Sequence, residues 1–235
     1  MKDMLITRLV RRLSLALLAG ALATTFPVLA DSTWPTRTVR IIVPFAPGGG
    51  ADVSARVLAE QLAPQLGQAV IVENKPGAGS ALGVNAAAQT KDGHTLLMGS
   101  NSMVINPSFN PAIGYDVARD FDAVGMVSAQ PLVLVVPAAS AIKSVPDLVA
   151  QYKGKPASLT AGNSGTGTLA HLTAELFEAE TGVALTPVPY RGESALMPDL
   201  ISGQVSLGFL NLPSVAAHIK SGKLRALAVS SPQPV

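Results

Sequence analysis

Three consecutive glycines, Gly48 to Gly50, stand between an apolar run and a predicted helix. Glycine has no side chain, so a ligand can approach the backbone closely, and a helix N-terminus adds unpaired N–H groups with partial positive charge. Both properties favour an anion, and we predict that the loop Pro44–Asp52 is an anion-binding nest of backbone amides. Asp52 has two compatible interpretations: it caps the helix by accepting backbone N–H bonds, or it contacts the ligand.

Three further loops share this composition of Gly, Ser, Thr and Asn, and each follows a predicted strand. They are Ser100–Asn106, Gly162–Thr168 and Tyr190–Ser194. Ligands of open α/β sheets bind beyond the carboxyl ends of the strands, where such loops lie. The sequence therefore predicts a single anion site built from several loops.

The glycines do not form either of the common nucleotide-binding motifs. A P-loop needs a lysine and a hydroxyl after its glycines, whereas Gly50 is followed by Ala51 and Asp52, whose carboxylate would repel phosphate. The glycines of the segment Gly77–Gly83 have one residue too many for the dinucleotide fingerprint. We therefore predict no nucleotide and no other cofactor.

Catalytic and metal-binding sets are also missing from the sequence. The motif around Ser164 has Thr166 where a nucleophile elbow requires glycine. His94, His171 and His218 are far apart and lack metal-ligand spacing. His171, one turn into a helix after a glycine loop, is a candidate for lining a pocket. The sequence favours a protein that is not an enzyme and holds no metal, although a hydrolase using Ser164 with His171 stays open as an alternative.

The N-terminus predicts export. Met1 to Arg12 is basic, Leu13–Ala23 is apolar and too short to span a bilayer, and small residues precede Ala30, so residues 1–30 have the order of a signal peptide.

The whole chain has a net charge of +2 from 17 Lys and Arg against 15 Asp and Glu. Residues 1–30 hold four of the basic and one of the acidic residues, which leaves 13 against 14 and a net charge of −1. This balance, with 4% aromatic residues, argues against nucleic-acid binding, and the absence of cysteine excludes disulfides and thiolate chemistry.

Strands alternate with helices along the remaining chain, which predicts an α/β fold with a parallel or mixed sheet. The segment Ser100–Asn110 is expected to be a long polar loop. The predicted strands are 39–44, 69–73, 95–99, 121–127, 132–136, 159–161, 183–188, 204–210 and 224–229, and the predicted helices are 53–66, 81–89, 145–152, 169–181, 196–202 and 215–221.

Nine motifs in one order, from Trp34 to Ser230, resemble the Bug-type extracytoplasmic receptors of tripartite tricarboxylate transporters. They are WPTRTVRIIVPFAPGGGAD, VIVENKPGAG, DGHTLLMG, YDVARDF, AGNSGTGTLAHL, VPYRG, DLISGQV, NLPS and GKLRALAV. The resemblance implies a type II periplasmic-binding-protein fold, in which two α/β lobes close on a small carboxylate. It also implies a periplasmic receptor that delivers this ligand to the membrane components of the transporter, without nucleic acid and as a monomer.

The resemblance extends the predicted ligand site to the cleft-facing loops of both lobes. Arg191 has two interpretations: it binds a second carboxylate of the ligand, or it is a cation on the surface. The predicted site residues are Pro47, Gly48, Gly49, Gly50, Asp52, Ser100, Asn101, Asn106, Asn163, Ser164, Gly165, Thr166, Thr168, His171, Tyr190, Arg191 and Asn211.

The resemblance also predicts how the chain divides. Crossings near residues 132–138 and 224–229 would separate a first lobe, residues 31–131 with 227–235, from a second lobe, residues 132–226. The apolar Leu224, Leu227 and Val229 are expected to enter the core of the first lobe, and family members continue beyond the position of Val235, so the C-terminal part of that lobe is expected to be missing. A module that passes the bound state to a membrane sensor kinase is the alternative to a transport receptor.

Overall fold

Residues 34–232 are described by the computed structural model, and the predicted signal peptide lies outside this range. The elements belong to the unit that begins at Arg37. The strands are β1 (Val39–Val43), β2 (Val70–Asn74), β3 (Thr95–Leu97), β4 (Leu132–Pro137), β5 (Leu159–Asn163), β6 (Leu185–Pro189), β7 (Leu207–Asn211) and β8 (Leu224–Val229). The α-helices are α1 (Gly50–Leu66), α2 (Ala81–Ala88), α3 (Asn101–Phe109), α4 (Val117–Asp120), α5 (Val145–Tyr152), α6 (Leu169–Thr181), α7 (Glu193–Ser202) and α8 (Leu212–Lys220).

The first sheet has three parallel strands in the order β2-β1-β3. The central strand β1 is an almost continuous apolar run, as expected for a parallel strand covered on both faces. Ile41 and Val43 pack against Ala55 and Ala59 of α1. A second cluster forms around Val84 of α2.

The second sheet has five strands in the order β6-β5-β7-β4-β8, with β5 parallel to β6 and β7, and β4 antiparallel to β7 and β8. All six residues of β4 are buried. Its side chains alternate between two clusters: Leu134 joins the cluster that includes Leu148 of α5, and Val135 joins the one that includes Leu196 of α7. The sheet is therefore covered by helices on both faces.

Helix α3 replaces the polar loop expected at Ser100–Asn110, so that expectation is wrong. Pro107 lies inside the helix and has no N–H to donate to the carbonyl of Met103, four residues earlier. The Tyr115 hydroxyl donates to this carbonyl oxygen at 3.0 Å. A donor outside the helix thus compensates for the proline.

The strand expected at Phe121–Val127 is not formed either. The segment has no regular structure, and Val124 and Met126 are 86% and 84% exposed. A strand needs a hydrogen-bonded neighbour, and no strand within residues 34–232 pairs with this segment. Its apolar pattern alone is therefore insufficient.

Strand β8 stays in the five-stranded sheet, where Val229 pairs with Val133 and Leu224 with Pro137 of β4. Leu224 is buried in the cluster of Leu196, and Leu227 and Val229 pack against the clusters of this same sheet. The expectation that Leu224, Leu227 and Val229 enter the core of the first lobe is therefore wrong for these three residues.

Within the described residues, no helix is long and apolar enough to cross a membrane. The same range contains no group of three or more His, Cys, Asp or Glu side chains that could hold a metal ion.

Candidate functional site

A cleft of about 230 Å³ lies where loops from the two sheets meet. Its walls come from the carboxyl ends of β1 and β2 on one side and of β5 and β6 on the other, as expected for parallel strands. Pockets for drug-sized ligands measure roughly 300–1,000 Å³, so this cleft suits a smaller molecule. Its lining consists of Phe45, Gly77, Ala78, Gly79, Ser80, Ser164, Gly165, Thr166, Pro189, Tyr190 and Arg191.

The loop Gly77–Ser80, after β2, forms one wall with an unusual backbone. Ala78 and Ser80 have positive φ angles of 48° and 88°, although neither is glycine. Such conformations cost energy and persist only where neighbours hold them. Asn106 of α3 does so, because its side-chain amide donates to the carbonyl oxygen of Gly79 at 2.7 Å and to the Ser80 hydroxyl at 3.4 Å.

The loop between β5 and α6 forms the opposite wall, and its own side chains hold it in place. The Thr168 hydroxyl donates to the carbonyl of Gly165 at 2.7 Å and caps α6 by accepting the N–H of His171 at 3.4 Å. Asn163 accepts the N–H of Gly165 at 3.0 Å. Thr168 and Asn163 are both buried, so these hydrogen bonds are shielded from solvent.

His171 also supports this loop. Its Nδ1 accepts the N–H of Gly167 at 3.5 Å, and its Nε2 lies 3.5 Å from a carboxylate oxygen of Glu175. In the described part of the chain no hydrogen bond joins His171 to Ser164. The nucleophile and base of a hydrolase should lie within hydrogen-bonding distance, so this arrangement argues against a Ser164–His171 pair.

Tyr190 and Arg191 complete the cleft beyond β6. The Tyr190 hydroxyl donates to Asp199 at 2.5 Å, and burial together with this carboxylate raises the pKa of Tyr190 to about 12. Its hydroxyl is therefore engaged, whereas the Arg191 guanidinium is exposed and has no hydrogen bond or ion pair among the described residues. Arg191 is the one charged side chain among those that line the cleft.

Unpaired donors cluster on the β5 side of the site. The backbone N–H groups of Ser164 and Thr166 have no partner within residues 34–232. Two buried side-chain atoms of the described residues also lack partners: the Asn163 Nδ2, at the end of β5, and the Ser100 Oγ, after β3. Buried polar groups are nearly always hydrogen-bonded, so the unpaired Asn163 Nδ2, next to Ser164, indicates a missing acceptor.

The glycine loop before α1 differs from the predicted nest of unpaired amides. The carboxylate of Asp52, which is 2% exposed, accepts the N–H of Gly48, the Arg56 Nε and the Asn74 side-chain amide, each at 2.9 Å. Burial alone would raise the pKa of Asp52, but these hydrogen bonds outweigh it and hold the pKa below its usual value. Asp52 thus ties the loop to the end of β2.

Glu193, at the start of α7, lies close to a second amide of the same loop. Its carboxylate accepts the N–H and side-chain amide of Asn211 at 2.9 and 2.8 Å and the Ser214 hydroxyl. Burial raises the pKa of Glu193, and these hydrogen bonds together with the nearby N–H of Gly50 oppose that shift. Glu193 was not predicted from the sequence.

The structure brings only part of the predicted set to the cleft. Those that line it are Ser164, Gly165, Thr166, Tyr190 and Arg191. Those outside the lining are Pro47, Gly48, Gly49, Gly50, Asp52, Ser100, Asn101, Asn106, Asn163, Thr168, His171 and Asn211. Five lining residues were not predicted from the sequence, although the glycines after β2 carry the same signal as those after β1: Gly77, Ala78, Gly79, Ser80 and Pro189. Phe45 was predicted only as part of the loop Pro44–Asp52.

Solved structures with the same fold identify the class of protein. The periplasmic binding protein BugD superposes with a TM-score of 0.80 at 32% identity, over 86% of this chain and 68% of that one. Rpa4515 of R. palustris, solved with adipate, gives a TM-score of 0.79 at 34% identity, over 85% and 68%. The fold is therefore that of a periplasmic binding protein, as the motifs predicted.

The sequence comparisons then give the family. The model of the tripartite tricarboxylate transporter family receptor, TctC, matches residues 54–234. Protein BugT of Bordetella pertussis (strain Tohama I) is 44% identical over 208 residues, which are 87% of this chain and 64% of that protein. The chain belongs to the tripartite tricarboxylate transporter receptor family, which confirms the resemblance of the motifs, and it spans less than two thirds of the length of this curated relative.

Proposed function

We propose that this protein is a solute-binding receptor that captures a small carboxylate in the cleft between its two sheets. The observation that carries the proposal is the set of unpaired donors at the cleft: the N–H groups of Ser164 and Thr166 and the guanidinium of Arg191. No acidic side chain is among the lining residues. A carboxylate would supply acceptors to these donors, and hydrogen bonds to an ionised group are the strong ones.

The buried donor of Asn163 supports the same ligand chemistry. Its Oδ1 is engaged by Gly165, which fixes the orientation of the amide and leaves Nδ2 without an acceptor, next to Ser164 in the wall. The adipate in Rpa4515 is a dicarboxylate bound by a protein of the same fold. Both observations favour an acid over a neutral ligand.

Delivery to a membrane transporter follows from membership of the family and is part of the proposal. The protein would be exported to the periplasm by residues 1–30, act as a monomer, and pass its ligand to the membrane components of a tripartite tricarboxylate transporter. Residues 31–131 would form one lobe and residues 132–226 the other. Of residues 227–235, which the motifs assign to the first lobe, 227–229 belong to β8 and pair with β4 of the second. The role is that of a receptor and not of an enzyme.

A periplasmic sensing module is the second candidate, because binding in the cleft would be identical. The hydrolase is disfavoured by the engagement of His171 with Gly167 and Glu175. Uptake measured in cells after deletion of the neighbouring transporter genes separates transport from sensing, since a sensor would leave uptake unchanged.

Isothermal titration calorimetry tests the ligand class. The panel comprises straight-chain dicarboxylates from malonate to adipate, monocarboxylates of equal length, and the matched neutral amides. We expect at least one acid to bind and its amide to bind at least about tenfold more weakly, because the amide loses charge-assisted hydrogen bonds of roughly 1.5–3 kcal/mol. An amide that binds as tightly as its acid would contradict the proposal.

A further inference from the structure

Glu193 is a buried carboxylate without a cationic partner. It is 5% exposed, and no Lys, Arg or His within residues 34–232 forms an ion pair with it. A buried charge is costly unless hydrogen bonds satisfy it, so the three hydrogen bonds from Asn211 and Ser214 must offset that cost. The receptor chemistry proposed above does not use this group.

Elements of both sheets meet at Glu193. Gly50, whose N–H lies near the carboxylate, begins α1, which packs on the three-stranded sheet, whereas the donors Asn211 and Ser214 lie at the start of α8 on the five-stranded sheet. Glu193 itself begins α7. Three helix N-termini therefore converge on one carboxylate, and each contributes partial positive charge that stabilises it.

The backbone around Glu193 is packed closely across the same junction. A Cβ at Gly50 would lie 3.4 Å from both the Asn211 Cβ and the Ser214 Oγ. The N–H of Ala46 donates to the carbonyl of Arg191 at 3.3 Å. Arg191 and Phe45, which precedes Ala46, both line the cleft, so this junction adjoins two walls of the site.

We propose that Glu193 is an internal carboxylate clasp that holds the Phe45 and Arg191 walls of the cleft at the separation required for ligand binding. It acts as a positioning residue, through Asn211 and Ser214, against which Gly50 packs, without touching the ligand. The inference rests on the proposed function, since the spacing matters to affinity only if the cleft binds a ligand. The clasp itself is independent of the ligand and can be tested separately.

Acetate provides that separate test. The substitution Glu193→Ala removes an acetate-sized fragment, CH₂–COO⁻, and leaves the three donors of Asn211 and Ser214 without an acceptor. We expect the variant to melt at a lower temperature than the wild type. Added sodium acetate should restore most of the loss, whereas acetamide or sodium chloride at equal concentration should not.

A matched control distinguishes the clasp from a general effect of acetate. The half-buried carboxylate of Glu178, on α6, accepts the N–H of Leu185 in β6 at 2.9 Å, so its hydrogen bond stays on the side of the five-stranded sheet. Acetate should stabilise Glu178→Ala no more than it stabilises the wild type. If acetate raises the melting temperature of Glu193→Ala no more than that of these two proteins, the clasp is refuted.

The isosteric substitution Glu193→Gln keeps the inference testable if the alanine variant does not fold. An amide retains the shape, but its NH₂ faces donors, so affinity for the tightest-binding dicarboxylate of the calorimetric panel should fall by about tenfold or more. Unchanged affinity in a folded Glu193→Gln protein would overturn the positioning role. If the wild type binds no acid of the panel, the proposed function fails, while the acetate experiment still decides the clasp.

Discussion

The Cα of Gly79 lies so close to the carbonyl oxygen of Thr166 that a Cβ at position 79 would collide with it. Gly79 follows β2 of the three-stranded sheet, and Thr166 follows β5 of the five-stranded sheet. Both residues line the cleft, so the two walls approach each other to backbone contact here. Only glycine permits this spacing.

The substitution Gly79→Ala should therefore weaken ligand binding by separating the walls. Alanine at φ 59° also costs about 1 kcal/mol of backbone strain, so a control with the same strain is needed. Gly67 provides it, because its φ is 64° and no atom lies within 4 Å of the position of its Cβ. Calorimetry should show a large loss of ligand affinity for Gly79→Ala but not for Gly67→Ala. The stability of Gly79→Ala should be equal to or below that of Gly67→Ala. Equal affinities of the two variants would mean that the contact with Thr166 is unimportant for binding.

The substitution Asn163→Asp tests the buried donor beside the cleft. Aspartate keeps the acceptor for the Gly165 N–H but replaces the unpaired Nδ2 with an oxygen that repels a carboxylate ligand. Losing one hydrogen bond to a charged group costs about 1.5–3 kcal/mol, so affinity should fall at least about tenfold.

Asn110 offers a matched control for this change. Its Oδ1 accepts the N–H of Ala112, two residues on, at 3.1 Å, which is the same local geometry on an exposed residue. Asn110→Asp should leave affinity unchanged. An Asn163→Asp protein that binds the acid as tightly as this control would remove Asn163 from the site.

The fold could be predicted from the sequence where local patterns agree with the tertiary environment. Strands β1 and β4 were predicted correctly from their apolar runs because both strands are covered on two faces. Helix α3 was missed because Pro107 reads as a helix breaker and the compensating donor, Tyr115, is recognised only in three dimensions. The strand at Phe121–Val127 was predicted from its apolar residues, but pairing depends on a neighbour that a local pattern cannot reveal.

The site was predictable to the extent that polar loops follow strands. That rule found Ser164, Thr166 and Arg191, and it would have found Gly77–Ser80 after β2 if applied there as well. The amide of Gly50 was expected to face a ligand, but it lies near Glu193, which is distant in the sequence. Local composition shows that donors are present, but it does not show which of them the protein itself satisfies.

Asp52 should make stability depend on pH at the acidic end. Its pKa lies below the ordinary value of 3.8 in the folded protein, so its contribution is fully present above that value and is lost as the pH falls through the lower, folded pKa. At pH 7 Asp52→Asn should lower the free energy of unfolding by about 1.5–3 kcal/mol, since hydrogen bonds to a charged acceptor are replaced. Urea titrations should be run from roughly pH 2 to pH 7, a range that spans the usual carboxyl pKa values. The difference in free energy of unfolding between wild type and Asp52→Asn should shrink as the pH falls.

The control for Asp52 is Glu60→Gln, an exposed acid on the same helix. This variant should follow the wild-type curve within about 0.5 kcal/mol at every pH. A difference between wild type and Asp52→Asn that stays constant down to the lowest pH would show that the carboxylate charge is not the source of the stabilisation.

The contribution of Arg191 to ligand affinity tests whether the ligand carries a second carboxylate. Its guanidinium has no partner among the described residues and lines the cleft, yet it is exposed to solvent, so an ion pair with a ligand should contribute only about 1 kcal/mol, roughly fivefold in affinity. Arg191→Gln should lose this factor for a dicarboxylate and keep its affinity for the monocarboxylate of equal length. Arg191→Lys should retain part of it, because lysine keeps the charge but lacks the planar fork. Calorimetry at two salt concentrations should also show a weaker salt dependence for Arg191→Gln, since the screened interaction is gone.

The control Lys143→Gln removes the same charge from an exposed position outside the cleft and should change neither affinity. An equal loss for both ligands would mean that Arg191 binds the carboxylate that they share, and no loss for either would make it a surface cation.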